Sequence, residues 1–286
     1  MIPMSHILLV LNDSVELIKE SEMTNLEHLQ SVLLMIIKDI DDICQQNNIV
    51  YFLLGGSAIG AIRHHGFIPW DDDLDIVMDS LNYKRFVQVC REQLDSRKYY
   101  FQEGFKDWPM PFSKIKLKGT LFSEPSAYIN DSGESGIFVD VFSMENAPSN
   151  RVKQLWQYFC GKCFLSYCLR ERGWDNPSFI KKLMMICAAP LCNPKIRAFF
   201  YKQINKYNTQ STDFFFFYSG RYRLKNSFFK RSYFASEIRV PFVDTLLPVP
   251  VGYDEWLSSV FGDYMTPPSD EKRHSLHLVD VDFGVY

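Results

Sequence analysis

An acidic run that leads directly into apolar sequence constrains this chain more than any other feature. Residues 70–78 read Trp-Asp-Asp-Asp-Leu-Asp-Ile-Val-Met, so four carboxylates precede and enter a predicted buried strand. Side chains alternate along an extended chain, which predicts Asp71, Asp73 and Asp75 on one side and Asp72 on the other. Carboxylates this close repel one another, and a divalent cation offsets their charge most simply. The run therefore predicts a site for Mg²⁺ or Mn²⁺, which prefer hard oxygen ligands.

Two other interpretations of the acidic run are weaker. A solvated loop does not fit Trp70 before the carboxylates or Leu74 and Ile76 among and after them, because these residues lead into apparent core. An EF-hand loop that begins at Asp71 requires Gly at its sixth position and Glu at its twelfth. The chain has Ile76 and Asn82 there, so the EF-hand pattern fails.

A glycine-rich segment precedes the acidic run. Gly55, Gly56 and Ser57 follow a short apolar run, residues 49–54, that predicts a buried strand, and they precede a predicted helix over residues 58–65. Glycines let backbone N–H groups approach a phosphate closely, and a helix N-terminus favours anions. The segment predicts a phosphate-binding turn, with a plain connection between two elements as the alternative.

A single carboxylate lies within a later apolar run. Residues 136–142 read Gly-Ile-Phe-Val-Asp-Val-Phe, which predicts a strand that contains Asp140. A carboxylate among apolar side chains is costly unless it is paired or binds a metal. We therefore predict that Asp140 completes a metal cluster with the acidic run, and it is also a candidate to accept the proton of an attacking hydroxyl.

The order of predicted elements is typical of an α/β or α+β fold. A capping box at residues 24–27 predicts the start of a helix whose apolar residues recur at helical spacing as far as Ile43. Further strands are predicted over 74–78, 112–117 and 137–142, and a further helix over 83–94. We divide the chain into an N-terminal lead-in (1–23), a catalytic core (24–148), a basic aromatic-rich helical region (149–235) and a C-terminal segment (236–286).

Charge is distributed unevenly along the chain. The net charge is −3, yet residues 151–231 contain 16 Lys and Arg against three acidic residues. Such a region predicts a surface that meets anions, with a solvated helical face as the alternative. We expect nucleotide phosphates, an anionic glycan or an anionic membrane as its partner, the last by peripheral contact through residues 151–231.

The seven cysteines do not predict a disulfide framework in a chain of 286 residues. No secretory signal is recognisable, and no apolar stretch approaches the roughly 20 residues of a spanning helix, so we expect a cytoplasmic location. Five cysteines have spacings that would also suit zinc: Cys160, Cys163, Cys168, Cys187 and Cys192. Buried thiols in an aromatic helical stretch are the favoured interpretation.

Taken together, these motifs resemble the nucleotidyltransferase superfamily, in which Gly-Ser after a strand is followed by two alternating acids and a third acid on a later strand. Residues 54–75, LGGSAIGAIRHHGFIPWDDDLD, more closely resemble the core of the LicD family. Similar residues recur at 249–254 and 261–273, and the resemblance covers about residues 24–145 and 236–277. Ser57 stands where that family commonly has Thr.

The resemblance implies a nucleotidyltransferase-type mixed sheet flanked by helices and a metal-dependent phosphotransferase. The donor would be a CDP-activated alcohol, CDP-choline first, the acceptor a sugar or lipid-linked glycan such as a lipopolysaccharide precursor, and the leaving group CMP. Asp73, Asp75 and Asp140 would be catalytic and, with Asp71, would hold Mg²⁺ or Mn²⁺. The candidate nucleotide- and phosphate-binding residues are Gly55, Gly56, Ser57, Arg63, Lys114, Lys116 and Arg273. Further candidate site residues are Trp70, Asp72, His64 and His274.

Two other functions stay open on the sequence alone. One is a nucleotidyltransferase that adds NMP to a small molecule and releases pyrophosphate. The other is a non-catalytic glycan- or membrane-binding protein, against which a mutually repulsive acidic cluster argues. We expect no nucleic acid partner. Choline would require an aromatic cage, for which Trp70, Trp108 and Tyr128 are candidates.

Overall fold

The computed structural model describes residues 4–123, 135–172, 179–220, 223–269, 271, 273 and 280–286, with side chains described from residue 25 onward except 180, 181, 184 and 185. The helices are α1 (Met4–Gln46), α2 (Gly55–His64), α3 (Ser80–Gln93), α4 (Arg151–Glu171), α5 (Phe179–Cys187), α6 (Pro194–Ile204) and α7 (Tyr253–Phe261). The strands are β1 (Phe52–Leu53), β2 (Asp75–Asp79), β3 (Tyr99–Gln102), β4 (Ser113–Leu117), β5 (Leu121–Ser123), β6 (Phe138–Ala147), β7 (Phe214–Phe216), β8 (Phe228–Lys230), β9 (Glu237–Phe242), β10 (Thr245–Pro250) and β11 (Asp280–Asp282).

A curled mixed sheet forms the core, flanked by helices as predicted. Its strand order is β1-β2-β6-β4-β3, and β7 pairs with the end of β6 and with β8. Only the β2–β6 pair is parallel among the paired strands of this sheet in the described residues. In the register of these strands, Asp140 lies opposite Asp75 on one side and Lys114 on the other. The sheet therefore brings three candidate site residues to one level.

Helix α1 is longer than the sequence predicts. It begins at Met4, so the capping box at Thr24 lies inside one continuous helix and the lead-in is not a separate segment. The reason is that no Gly or Pro interrupts residues 4–46. The predicted apolar stripe is confirmed, since Leu29, Leu33, Ile36, Ile37 and Ile40 are each at most 1% exposed.

The basic region is not wholly helical, which corrects the prediction for residues 149–235. After α4, α5 and α6 the chain enters β7 and β8, and β7 pairs with Glu145–Ala147 of β6. The Phe-rich run at 214–216 has high β-propensity and fills the edge of the main sheet. The region is thus partly integrated into the catalytic core.

Two further sequence predictions concern the cysteines and membrane-spanning helices. All seven cysteines are free, and Cys160 and Cys168 are buried within α4. None of the helices in the described part of the chain is long and apolar enough to cross a membrane.

Candidate active site

A loop that leads into β2 carries the acidic run. The N–H of Asp71 donates to the carbonyl of Ile68 at 2.9 Å, which closes a turn. From α1, the amide of Gln30 donates to the carbonyls of Ile68 and Asp71 at 3.2 and 2.9 Å. Gln30 therefore holds the loop against α1, a positioning role that no local sequence pattern indicates.

Three successive carboxylates converge within this loop. One oxygen from each of Asp71, Asp72 and Asp73 lies within 4.8 Å of the others, and no other group of His, Cys, Asp or Glu in the described residues converges in this way. Asp72, predicted on the opposite side, therefore joins the cluster and is only 2% exposed. Strand alternation does not apply to it because β2 begins at Asp75.

A second chain segment, strand β6, lies beside the acidic run. Asp140 is the register partner of Asp75, and its N–H donates to the carbonyl of Leu74 at 3.1 Å. Asp73 and Asp140 also line one cavity of about 50 Å³ together with Asp72. Burial raises the pKa of Asp75 well above its ordinary value, and Asp73, Asp140 and Asp71 raise it further.

A buried lysine lies beside Asp140. Lys114 is 2% exposed, and its Nζ is 3.4 Å from Asp140 Oδ1 and 3.3 Å from the centre of the Phe138 ring. Lys116, two positions further along β4, is 5% exposed and projects to the same side of the strand. Both predicted cations are therefore buried and not on the surface, and Lys114 is the one shown beside the acidic residues.

The glycine-rich segment positions the acidic run. It forms the first turn of α2, and a Cβ built on Gly56 would lie 2.6 Å from Asp71 Oδ2. The positive end of the helix dipole favours a carboxylate at that place. The buried Ser57 hydroxyl accepts the N–H of Asp75 at 2.9 Å and so connects α2 to the start of β2. The phosphate-binding role predicted for Gly55, Gly56 and Ser57 stays a prediction.

A second set of basic residues surrounds Trp70. The Arg273 guanidinium lies 5.1 Å from the centre of the Trp70 ring. Burial lowers the pKa of Arg63, the nearby Arg273 lowers it further, and Asp71 opposes the shift. Arg63 Nε donates to His64 Nε2 at 2.9 Å. The pKa of His64 is lowered mainly by burial and to a smaller extent by the positive charge of Arg63. Two guanidiniums thus lie on the Asp71 side of the site.

The C-terminal segment contributes to this part of the site. Arg63 Nη1 donates to the carbonyl of Tyr264 at 2.6 Å, and the Tyr264 hydroxyl donates to Asp254 at 2.7 Å. Arg273 comes from the same segment. Tyr128 and His274, both candidates from the sequence, lie outside the described residues.

The donor set fits a hard divalent cation. Asp71, Asp72 and Asp73 converge at ligand distance, Asp75 and Asp140 interact electrostatically beside them, and Lys114 Nζ lies 3.4 Å from Asp140 Oδ1. The ligand atoms of these acidic residues are all carboxylate oxygens, which suit Mg²⁺ or Mn²⁺ better than zinc.

Comparison with known proteins agrees with the motifs. Residues 48–168 match the family described as LicD/FKTN/FKRP, nucleotidyltransferase domain. Residues 48–168 thus form a LicD-type nucleotidyltransferase domain within the chain. The chain is 27% identical over 258 residues to the lipopolysaccharide cholinephosphotransferase LicD of Haemophilus influenzae, an alignment that spans 88% of this chain and 96% of that protein. The prediction of a LicD-like phosphotransferase, made from the Gly-Gly-Ser and Asp-rich motifs, is confirmed.

Shorter similarities concentrate on part of the chain. An uncharacterized protein of Rickettsia typhi is 48% identical over 57 residues, which cover 20% of this chain and 18% of that protein. A second uncharacterized protein, from Rickettsia prowazekii, is 48% identical over 44 residues, 15% of this chain and 16% of that protein. These relatives add no functional information beyond the family.

Proposed function

We propose that this LicD-family enzyme transfers a phospho-alcohol group, phosphocholine as first candidate, from a CDP-activated donor to a hydroxyl of a lipopolysaccharide precursor or related cell-surface glycan, and releases CMP. The observation that carries the proposal is the convergence of the Asp71–Asp75 segment with Asp140. The similarity to a lipopolysaccharide cholinephosphotransferase over most of both chains supports the choice of cargo and acceptor. We expect the reaction to take place in the cytoplasm.

The acidic residues have a clear role in this proposal. Asp71, Asp72 and Asp73, whose oxygens converge, are with Asp75 and Asp140 the residues that would hold Mg²⁺ or Mn²⁺, which would neutralise phosphate charge during transfer. Asp140 would also accept the proton of the acceptor hydroxyl, and Lys114 at 3.4 Å would keep its carboxylate in place.

The basic residues suit the donor phosphates. Arg63 and Arg273 lie close enough for one to lower the pKa of the other, and an anion between them would relieve that repulsion. Phosphoryl transfer depends mainly on positioning and charge stabilisation, so two guanidiniums beside an acidic metal site are a suitable arrangement.

An activity screen tests the proposal. The protein would be incubated with CDP-choline, CDP-ribitol or CDP-glycerol and a lipopolysaccharide acceptor, with Mg²⁺, with Mn²⁺ or with a chelator. We expect CMP release and acceptor labelling from one donor, lost with the chelator. Pyrophosphate release from a nucleoside triphosphate in place of CMP release would instead identify a nucleotidyltransferase, which the matched domain description also permits.

A further inference from the structure

Helix α4 presents an apolar stripe to solvent. Val152, Leu155, Trp156 and Phe159 are 76%, 53%, 45% and 50% exposed, and their spacing places them on one face of the helix. The other side of α4 faces the protein, where Gln157, Phe164 and Cys168 are buried. These four side chains therefore contribute little to the packing of α4 against the rest of the protein: Val152, Leu155, Trp156 and Phe159.

The stripe continues onto α6. Trp156 Nε1 donates to Gln203 Oε1 at 3.3 Å, and the Phe159 and Phe200 rings lie 6.3 Å apart. Phe199, whose ring is 5.7 Å from that of Phe200, is 49% exposed. The two helices therefore share one exposed aromatic and aliphatic surface, which we call the α4–α6 face.

Helix α5, between them in sequence, carries a similar stripe. Phe179, Leu183 and Ile186 are 78%, 49% and 66% exposed at positions one and two turns apart. Three helices in succession thus expose apolar side chains in stripes, whereas exposed apolar residues on a monomer surface are usually scattered singly.

The charge of the three helices is almost entirely positive. Their sequences contain nine Lys and Arg and one acidic residue, Glu171. The exposed cations are Arg151, Lys153, Arg170, Lys182, Lys195 and Lys202. A surface that combines apolar stripes, an exposed Trp and excess positive charge has the chemistry of a helix that lies on an anionic bilayer.

We propose that the α4–α6 face, with the α5 stripe, docks the protein peripherally on a membrane that contains anionic phospholipid. The cations attract the headgroups and the apolar side chains enter the headgroup–acyl boundary, where Trp is favoured. A soluble phosphate ligand would use the cations and leave the stripe exposed. This inference goes beyond the proposed transfer reaction, and it holds for any substrate of the acidic site.

Vesicle cosedimentation tests the docking. We expect the full-length protein to bind vesicles of phosphatidylcholine with phosphatidylglycerol and to bind phosphatidylcholine alone much more weakly. Salt near 1 M, where the Debye length is about 3 Å, should release most of the protein. Equal binding to both vesicles, or binding that salt does not change, overturns the proposal.

Matched variants separate the stripe from general surface hydrophobicity. The double variant Val152→Ser and Leu155→Ser should weaken vesicle binding by about tenfold or more. The control, Leu81→Ser and Leu246→Ser, removes side chains of comparable exposure, 67% and 51%, elsewhere on the surface. We expect the control to bind like the parent, and equal losses in both variants overturn the proposal.

Two further experiments test the role of charge in membrane binding and the depth to which Trp156 enters the membrane. Lys153→Gln with Lys195→Gln should weaken binding, while Arg97→Gln with Lys106→Gln should not. Brominated lipid should quench tryptophan fluorescence in the parent and much less in Trp156→Phe. A dimer in solution that the Val152→Ser and Leu155→Ser variant abolishes, without vesicle binding by the parent, would show that a second copy covers this face and overturn the proposal.

Discussion

The two ends of strand β6 hold carboxylates in opposite circumstances, one half-buried and one buried. Near its beginning, Asp140 lies among the carboxylates of the acidic run. Near its end, Glu145 is 5% exposed and accepts hydrogen bonds from Ser143 Oγ at 2.8 Å and from Asn208 Nδ2 at 2.5 Å. Five positions apart, the two residues project to opposite faces of the sheet.

The difference lies in what surrounds each carboxylate. Burial raises the pKa of both Asp75 and Glu145. Other carboxylates add to the shift at Asp75, whereas hydrogen bonds from Ser143 and Asn208 oppose it at Glu145. Glu145 is thus stabilised by hydrogen bonds from within the protein, whereas the charge of Lys114 only partly offsets the carboxylates around Asp75. Burial alone therefore does not distinguish the two ends of β6; the convergence of several carboxylates at one end does.

The replacement Asp75→Asn should have the largest effect. It removes one carboxylate from the cluster, and several kcal/mol of charge stabilisation correspond to a roughly thousandfold loss of CMP release. The same change relieves repulsion, so without divalent cation the variant should melt higher than the parent, by about 2–4 °C for each kcal/mol. If the variant melts at a lower temperature and keeps its turnover, Asp75 has a structural role like that of Glu145 and no role in the reaction. Calorimetry and a CMP assay provide both readouts.

The replacement Gly56→Ala should come next. A Cβ there would lie 2.6 Å from Asp71 Oδ2, so the carboxylate must move. A displacement of this size costs on the order of a hundredfold in turnover and should raise the metal concentration needed for half activity. Gly55→Ala is the control, because Gly55 has φ +55° and no neighbour within 4 Å of its added Cβ. It should lose stability through backbone strain and keep its metal requirement; equal metal requirements in the two variants would contradict the positioning role of Gly56.

The replacement Glu145→Gln should affect stability and not chemistry. A Gln side chain cannot accept from both Ser143 and Asn208, since one of its atoms is a donor. We expect a loss of about 1–3 kcal/mol in unfolding free energy, measured in urea, with turnover per folded molecule within about twofold of the parent. A loss of turnover comparable to that of Asp75→Asn would show that Glu145 also takes part in the reaction, which contradicts its structural role.

The motifs of the acidic site can be located from the sequence because they are local: Gly-Gly-Ser, the acidic run and Asp140 each lie beside or within a predicted strand. The parallel pairing of β2 with β6, which brings Asp75 opposite Asp140, is seen only in the structure. The sequence pattern predicts Asp72 on the wrong side, because β2 begins only at Asp75 and strand alternation does not extend back to Asp72.

Long-range contacts are what the sequence could not supply. Gln30 reaches the acidic loop from 41 residues away, and Arg63 meets Tyr264 across 201 residues. The pairing of β7 with β6 likewise joins the basic region to the core, although composition suggested a separate helical unit. No periodicity encodes these partners, since they depend on how the helices and sheet pack.

The smallest predicted effect is a dependence of folding stability on pH, to which the carboxylates at the two ends of β6 contribute differently. The folded-state pKa of Asp75 is raised, so the folded protein holds a proton that the unfolded chain releases near pH 4. The favourable contribution is complete below that pH and is lost as pH rises through the folded pKa. Without divalent cation, the melting temperature should therefore fall as the pH rises above about 4, the ordinary pKa of an aspartate.

Divalent cation should distinguish the two sources of this fall. Glu145 contributes with the same sign, because its pKa is also raised, but among the residues that the structure describes it belongs to no converging group of acidic side chains. Saturating Mn²⁺ should therefore restore most of the lost stability at pH 8 and little at pH 5, where protons compete for the carboxylates. In Asp75→Asn the pH dependence should shrink to the part that Glu145 supplies, and Glu145→Gln should leave the response to Mn²⁺ intact. If the stabilisation by Mn²⁺ disappears in Glu145→Gln and persists in Asp75→Asn, the cation binds near Glu145 and not near Asp75, which contradicts the proposed metal site.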